Sequence, residues 1–208
     1  MGLDIDEEIR GRIAAFVAEV RGSAPDVRWM APEWLHVTLK FIGEKPDAAV
    51  AEIEKALGAV TAESLEISFR GYGFFPTEKA ARVFWVGIEA DARLAELAGK
   101  VEGALTGIGI PKEERGFSPH LTLARGGARI GSGSGAPGRR TGDRINQRFA
   151  KLQDRLTGRS SEARLSEDPV QRASLEFGTM AAREFCLYRS QLSPKGSQYT
   201  KTARFGLK

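Results

Sequence analysis

Cysteine, histidine and long apolar runs are all scarce in this sequence. Cys186 is the only cysteine among 208 residues, so the chain cannot form an intramolecular disulfide or a metal centre made of cysteines. It lies in the apolar run FCLY, which favours a buried structural role. The longest apolar runs, such as VFWVGI, are too short to cross a bilayer, and the start MGLDIDEE lacks the features of a secretory signal. We therefore expect a cytoplasmic protein without a membrane partner.

The composition is that of a globular protein with a small excess of positive charge. Hydrophobic residues make up 41% of the chain and charged residues 28%, which is ordinary for such proteins. A chain of 208 residues can bury one substantial core, as one domain or as two closely packed lobes. The net charge of +4 favours an anionic partner, although so small a value permits many others.

Apolar periodicity predicts strands and helices that alternate along the chain. A first helix, which Asp4 or Asp6 could cap, is predicted from apolar residues at helical spacing: Ile9, Ile13, Phe16, Val17 and Val20. Two more helices are predicted from about residue 47 and over about residues 91–105. Extended segments are predicted at VRWM, WLHVTLKFI, LEISFRGYGFF, RVFWVGIEA, FSPHLTLAR, AREFCLYRSQL and, as a short last strand, YTKTARF. This order suggests two similar halves packed together.

The composition changes over about residues 126–174. GGARIGSGSGAPGRRTG concentrates glycine, serine and arginine and predicts a flexible surface loop. It is followed by a predicted helix, RINQRFAKLQDRL, and by the polar stretch GRSSEARLSEDPVQRAS; the apolar face of the helix carries Ile145, Phe149, Leu152 and Leu156. A solvated linker and a nucleic-acid contact surface are about equally compatible with this basic region. We interpret it as an insertion in one bilobal domain that spans residues 1–208.

Both histidines of the chain occur in the same pattern: a histidine, any residue, a threonine and a leucine. The two copies are HVTL from His36 and HLTL from His120. Because side chains alternate along a strand, each histidine shares a face with the threonine two residues later, and the apolar residue between them faces the other way. If the two strands lie side by side or across a groove, both imidazoles and both hydroxyls converge on one small volume.

Such a set of side chains suits acid–base chemistry on a phosphate. Imidazoles have an unperturbed pKa of about 6.5, so one can be neutral and basic while the other is protonated and acidic. Threonine hydroxyls can donate hydrogen bonds to the oxygens of a tetrahedral anion. A metal site is a weaker interpretation, because two histidines make an incomplete shell and no acidic residue flanks them on the same strand faces. A Ser-His-Asp triad is also poorly supported, since no G-x-S-x-G motif is present with either histidine.

The motifs in WLHVTLKFIGE and FSPHLTLAR resemble those of the two-histidine phosphoesterase superfamily, and most closely its RNA 2',3'-cyclic phosphodiesterase family, also called 2'-5' RNA ligase. The resemblance extends through GYGFFPTEKAARVFWVGI and FCLYRSQLSPKGSQYTK and is weakest over about residues 126–174. It implies the LigT-like fold, a bilobal α+β fold with helices on the outside. In that fold two antiparallel sheets, each with one H-x-T strand, face a shared groove.

The resemblance also implies an activity and roles for individual residues. The activity is hydrolysis of RNA 2',3'-cyclic phosphate ends to 2'-phosphomonoesters without a metal or other cofactor, with 2'-5' ligation as its reverse. His36 would be the proton donor and His120 the proton acceptor, while Thr38 and Thr122 would hold the phosphate oxygens. Arg125 matches a basic position of the family. Strict alternation from His120 puts it on the opposite face, so it reaches the phosphate only if the strand ends or twists there.

Partners follow from the same resemblance. It implies RNA ends, such as those of tRNA fragments, or nucleoside 2',3'-cyclic phosphates, bound by a monomer. Phe41 and Tyr188 could stack on a base. Aromatic residues in strands more often belong to the core, and we favour a core position for Phe41.

Two other functions stay open at this stage. One is a phosphoesterase of the same superfamily with another substrate, such as a 2'-5' oligonucleotide or a cyclic ADP-ribose phosphate. The other is a non-catalytic RNA-binding module that uses the basic loop and helix, for which salt-sensitive affinity without turnover is expected. The paired H-x-T-L motifs argue against pure binding, since binding does not need two titrating groups.

One departure from the family pattern concerns the first strand. Family members usually open with a short apolar strand before the acidic residues, whereas only Met1, Gly2 and Leu3 precede Asp4 here. We therefore expect a truncated first strand, which costs the sheet hydrogen bonds and packing. Adding the upstream in-frame codons should raise the midpoint of thermal unfolding, measured by circular dichroism. An unchanged midpoint would count against truncation.

Overall fold

The computed structural model describes residues 1–126, 139–157, 175–193 and 196–208. Within them the chain forms four α-helices, namely α1 (Glu7–Val20), α2 (Val50–Gly58), α3 (Ala92–Gly107) and α4 (Arg139–Leu156). It also forms nine strands, namely β1 (Gly2–Asp4), β2 (Arg28–Trp29), β3 (His36–Thr38), β4 (Leu65–Phe75), β5 (Val83–Glu89), β6 (His120–Arg125), β7 (Glu176–Ala182), β8 (Glu184–Ser193) and β9 (Gly196–Gly206). None of the described helices is both long and apolar enough to cross a membrane.

The strands form one antiparallel sheet in which the two histidine strands are neighbours. Its order is β7-β4-β5-β6-β3-β1-β8-β9, with β2 paired to β6. One half, β7 to β6, carries His120, and the other half, β3 to β9, carries His36. The α+β class and the two halves with one histidine each are confirmed. The two predicted sheets are continuous, because Val37 of β3 pairs with Leu121 of β6.

Strand β1 is short but central. Its three residues pair with β3, and Gly2 also pairs with Cys186 of β8. Leu3 is fully buried. The few residues before the first helix therefore join β3 to β8 in the half of the sheet that carries His36.

The helices cover one face of the sheet and leave the other to the polar side chains. Helix α1 buries one apolar stripe, and α3, capped by the carboxylate of Asp91, buries another; their buried residues include Ile9, Ile13, Phe16, Leu97, Val101 and Leu105. The alternate residues Val37 and Leu121 are fully buried. Each such burial contributes about 1.5–3 kcal/mol. We call the opposite side, which carries the histidines and threonines of both motifs, the histidine face.

Four features differ from the sequence prediction. Strand β7 was not predicted, and β9 spans eleven residues instead of forming a short strand. Phe41, predicted in the core, is 59% exposed. Strand alternation from Thr38 would place Lys40 on the polar face, but Lys40 is buried, and its ammonium lies 2.6 Å from a carboxylate oxygen of Glu102. Both errors have one cause, since β3 ends at Thr38 and strand alternation does not continue beyond it.

Most of the predicted insertion lies outside the described residues, including residues 127–138 of the glycine- and arginine-rich loop and the polar stretch. The described part confirms a helix between them, α4, with Phe149, Leu152 and Leu156 buried. The end of the predicted loop, RRTG, instead forms the start of α4. Cys186 is fully buried, as predicted.

Candidate active site

The two histidine motifs meet at the centre of the sheet. Val37 opposite Leu121 is the single pairing between β3 and β6 in the described chain. Antiparallel register then places His36 beside Thr122 and Thr38 beside His120. In a regular ladder such opposite residues lie about 4.5–5.5 Å apart, and diagonal neighbours, here the two histidines, about 7–8 Å apart. All four predicted side chains are therefore brought to one small area of the histidine face.

Each imidazole is held by the same local hydrogen bond. Nδ1 of His36 lies 2.8 Å from the carbonyl oxygen of Trp34, and Nδ1 of His120 lies 2.8 Å from the carbonyl oxygen of Ser118. A carbonyl can only accept, so each Nδ1 must carry the proton. In the neutral ring the proton-free nitrogen is then Nε2. Both histidines thus keep Nε2 for proton transfer.

The two rings have different aromatic surroundings. His36 stacks on Tyr188, with ring centroids 4.6 Å apart and planes 22° apart, and Tyr199 contacts it at 5.2 Å. His120 meets Phe75 edge to face at 4.9 Å. One face of the Tyr188 ring is thus covered by His36. Burial raises the pKa of the Tyr188 hydroxyl.

Burial lowers the pKa of both histidines. The pKa of His36 falls from 6.5 to about 4, chiefly because burial disfavours the imidazolium, while the positive charges of the N-terminal ammonium and Arg125 act in the same direction. The hydrogen bond to Trp34 and the carboxylate of Asp4 partly oppose this fall. The pKa of His120 is also lowered, again chiefly by burial and further by Arg125. Without a bound anion, both rings therefore favour the neutral form at neutral pH.

A β-bulge turns Arg125 onto the histidine face. Between Thr122 and Ala124 strand β6 advances two residues while β5 advances only one, from Trp85 to Phe84. Leu123 is the extra residue, and both it and Ala124 are buried, which breaks strict alternation. Arg125 is half-buried on the side of His120 and Thr122. Its charge acts on both histidines.

A buried cation behind His36 holds the segment that precedes it. The guanidinium of Arg10 donates to the carbonyl oxygens of Pro32, Ile5 and Leu35, and it pairs with Asp4 at 3.0 Å. Asp4 also pairs with Lys201 and lies opposite His36 in the β1–β3 ladder. This network fixes the carbonyl groups around residue 34, which in turn orient the His36 ring.

Sequence reasoning missed this network because its contacts join distant parts of the chain. The sequence did contain one signal for the network: Arg10 follows Ile9 and lies on the otherwise apolar face of α1. It is buried together with the apolar residues of that face. Arginine in such a place needs several acceptors. No group of three or more histidine, cysteine or acidic side chains that could hold a metal ion occurs in the described residues.

The assembled set is suited to in-line displacement at phosphorus. Two proton-transfer nitrogens lie on diagonal positions, two hydroxyls lie between them, and Arg125 adds a permanent positive charge. Hydroxyl and guanidinium groups are the donors that stabilise a phosphoryl anion.

Comparisons with known proteins give one consistent result. Residues 3–85 match the family model of LigT-like phosphoesterases. A protein of Archaeoglobus fulgidus named RNA 2',3'-cyclic phosphodiesterase is 30% identical over 199 residues, covering 96% of this chain and 94% of that protein. A Thermus thermophilus protein of the same name is 32% identical over 215 residues, covering 98% and 87% respectively.

Solved structures share the fold. A crystal structure of a Thermus thermophilus protein has a TM-score of 0.68 and 25% identity, covering 99% of this chain and 94% of that chain. Escherichia coli LigT in complex with 3'-AMP has a TM-score of 0.68 at 21% identity, covering 99% and 95%.

The depressed pKa of His36 predicts acid-sensitive stability. The pKa is about 4 when folded and about 6.5 when unfolded, so the unfolded chain binds more protons between these values. The stability contributed by neutral His36 is present above the unfolded pKa and is lost as the pH falls towards 4. The loss at pH 5 is about 2 kcal/mol.

Urea unfolding at pH 8 and pH 5 measures this loss. The drop in unfolding free energy should be about 2 kcal/mol smaller in His36→Asn than in the wild type, because asparagine does not titrate. Equal drops in the two proteins would show that His36 has an ordinary pKa in the folded state.

Proposed function

Because this chain belongs to the RNA 2',3'-cyclic phosphodiesterase family, we propose that it hydrolyses the 2',3'-cyclic phosphate ends of RNA to 2'-phosphomonoesters. The observation that carries this proposal is the pair of identical Nδ1–carbonyl hydrogen bonds at His36 and His120. They leave two Nε2 atoms on one face, and cyclic phosphate hydrolysis needs two such groups, since one proton must be removed and another supplied.

The proposed reaction uses the two histidines in opposite roles. Nε2 of His120 takes a proton from water, whose oxygen attacks phosphorus in line with the bond to the 3' ribose oxygen. That bond breaks, and Nε2 of protonated His36 gives its proton to the departing oxygen. The product carries a 2'-phosphate and a 3'-hydroxyl. His120 ends protonated and His36 neutral, and exchange with solvent restores the starting state.

The donor role of His36 requires its protonation, which depends on the bound phosphate. The carboxylate of Asp4 favours the imidazolium of His36, whereas the N-terminal ammonium and Arg125 disfavour it. Burial opposes protonation of His36. A bound cyclic phosphate brings a negative charge that favours the imidazolium and offsets the positive charge of Arg125. Substrate binding would therefore be coupled to proton uptake by His36.

The remaining site residues are assigned to binding and positioning. Thr38 and Thr122 would donate hydrogen bonds to the non-bridging oxygens, and Arg125 would pair with the phosphate. Tyr188, whose ring lies flat against His36, would position that imidazole, in preference to stacking on a base. Replacing any of these groups should cost less than replacing either histidine.

The finer points of function follow from this chemistry. The same groups could catalyse 2'-5' ligation, in which a 5'-hydroxyl replaces water and attacks the cyclic phosphate, the bond to the 3' oxygen breaks, and a 2'-5' phosphodiester forms. We assign as substrates RNA ends, such as those of tRNA fragments, processed in the cytoplasm. A monomer would suffice, because one chain supplies both histidine strands.

Product analysis tests the proposal. The purified protein, with chelator present, should convert a nucleoside 2',3'-cyclic phosphate to the 2'-monoester, identified by phosphorus NMR. His36→Ala and His120→Ala should each lower kcat/KM by about 10²–10⁴-fold, because each removes one proton-transfer group. Unfolding midpoints of the variants control for loss of structure.

Two results would contradict this assignment. Activity that survives either alanine substitution would remove the two-histidine mechanism. A 3'-monoester would show that the bond between phosphorus and the 2' oxygen is the one broken. The proton-transfer roles assigned to His36 and His120 would then be wrong.

A further inference from the structure

Two arginines face each other beside the candidate site. Arg28 of β2 lies directly opposite Arg125 of β6, so the two side chains project from the same side of the sheet. That side is the histidine face because of the bulge at Leu123. The neighbouring residue, Trp29, points the other way, since its ring meets Phe84 of the core at 6.0 Å.

Neither of these arginines has a carboxylate partner in the described part of the chain. Other arginines do, and they include Arg12, Arg70, Arg93, Arg189 and Arg204. Like charges directly opposite each other on neighbouring strands are destabilising. The positive charge of Arg28 disfavours that of Arg125. Two arginines whose mutual repulsion is not offset by a carboxylate are suited to bind an anion.

The guanidinium group of Arg28 is accessible to a ligand, because Arg28 is exposed. Guanidinium groups bind phosphate bidentately, which favours a phosphate over other anions.

The position of the pair relative to the histidines indicates which phosphate it binds. Thr122 and Arg125 are successive side chains on the histidine face of β6, and successive positions on one face of a strand are about 7 Å apart. A cyclic phosphate held between Thr122 and the histidines would therefore have Arg125 at its edge and Arg28 beyond it. The next phosphate of an RNA chain lies at a comparable spacing.

We propose that Arg28, next to Arg125, binds the internucleotide phosphate on the 5' side of the terminal nucleotide, which makes RNA ends better substrates than mononucleotides. The inference rests on the proposed function and extends it. A nucleoside 2',3'-cyclic phosphate has no such second phosphate. Arg28 thus distinguishes the end of an RNA chain from a free cyclic mononucleotide.

Two substrates and three variants test this proposal. The substrates are adenosine 2',3'-cyclic phosphate and the dinucleotide ApA that ends in a 2',3'-cyclic phosphate. The wild type should have the higher kcat/KM on the dinucleotide, and Arg28→Gln should lower the dinucleotide-to-mononucleotide ratio about tenfold, as expected for loss of a charged hydrogen bond. Arg28→Lys should restore part of the ratio.

The matched control is Arg183→Gln, which removes the same charge from an exposed residue between β7 and β8 and should leave the ratio at its wild-type value. A ratio that Arg28→Gln does not change would overturn the proposal. An equal loss on both substrates would overturn it as well, since Arg28 would then act on the cyclic phosphate or on the fold. Hydrolysis of the mononucleotide reports separately on the proposed function.

Discussion

The pairing of Val37 with Leu121 is the contact on which the site depends. It joins the two halves of the sheet, and its register decides which polar side chains become neighbours. A slip of one residue would send the histidine of one strand to the helix-covered face, because the side-chain period of a strand is two. Both residues are fully buried, so a change of register would expose them to water. The contacts that stabilise the fold therefore also fix the register.

The electrostatics of the proposed site favours an anion as its ligand. Burial keeps both imidazoles neutral, and the arginine brought in by the bulge makes a second positive charge on them unfavourable. A phosphate relieves both effects, since it neutralises the guanidinium and favours protonation of a histidine. Binding of a phosphate is therefore expected to stabilise both the charge of Arg125 and the protonated form of one histidine.

The faces of the two motifs could be predicted from the sequence because alternation along a strand is a local rule. The fate of Arg125 could not, because a bulge depends on how β6 pairs with β5. Strand β7 was missed for a related reason. Phe177 is an extra residue that forms a bulge opposite β4, so the buried residues of β7 do not alternate regularly. Arg10 was missed because its acceptors lie on loops distant in sequence.

The central claim is that both histidines direct Nε2, the nitrogen left for proton transfer, towards one phosphate. Nitrogen-15 NMR of the imidazole rings, free and saturated with a nucleoside 2'-monophosphate, tests it most directly. The account predicts the Nδ1–H tautomer for both neutral rings and an upward shift of the pKa of His36 when the nucleotide binds. An Nε2–H tautomer at either histidine, or a His36 pKa that the nucleotide leaves unchanged, would contradict it.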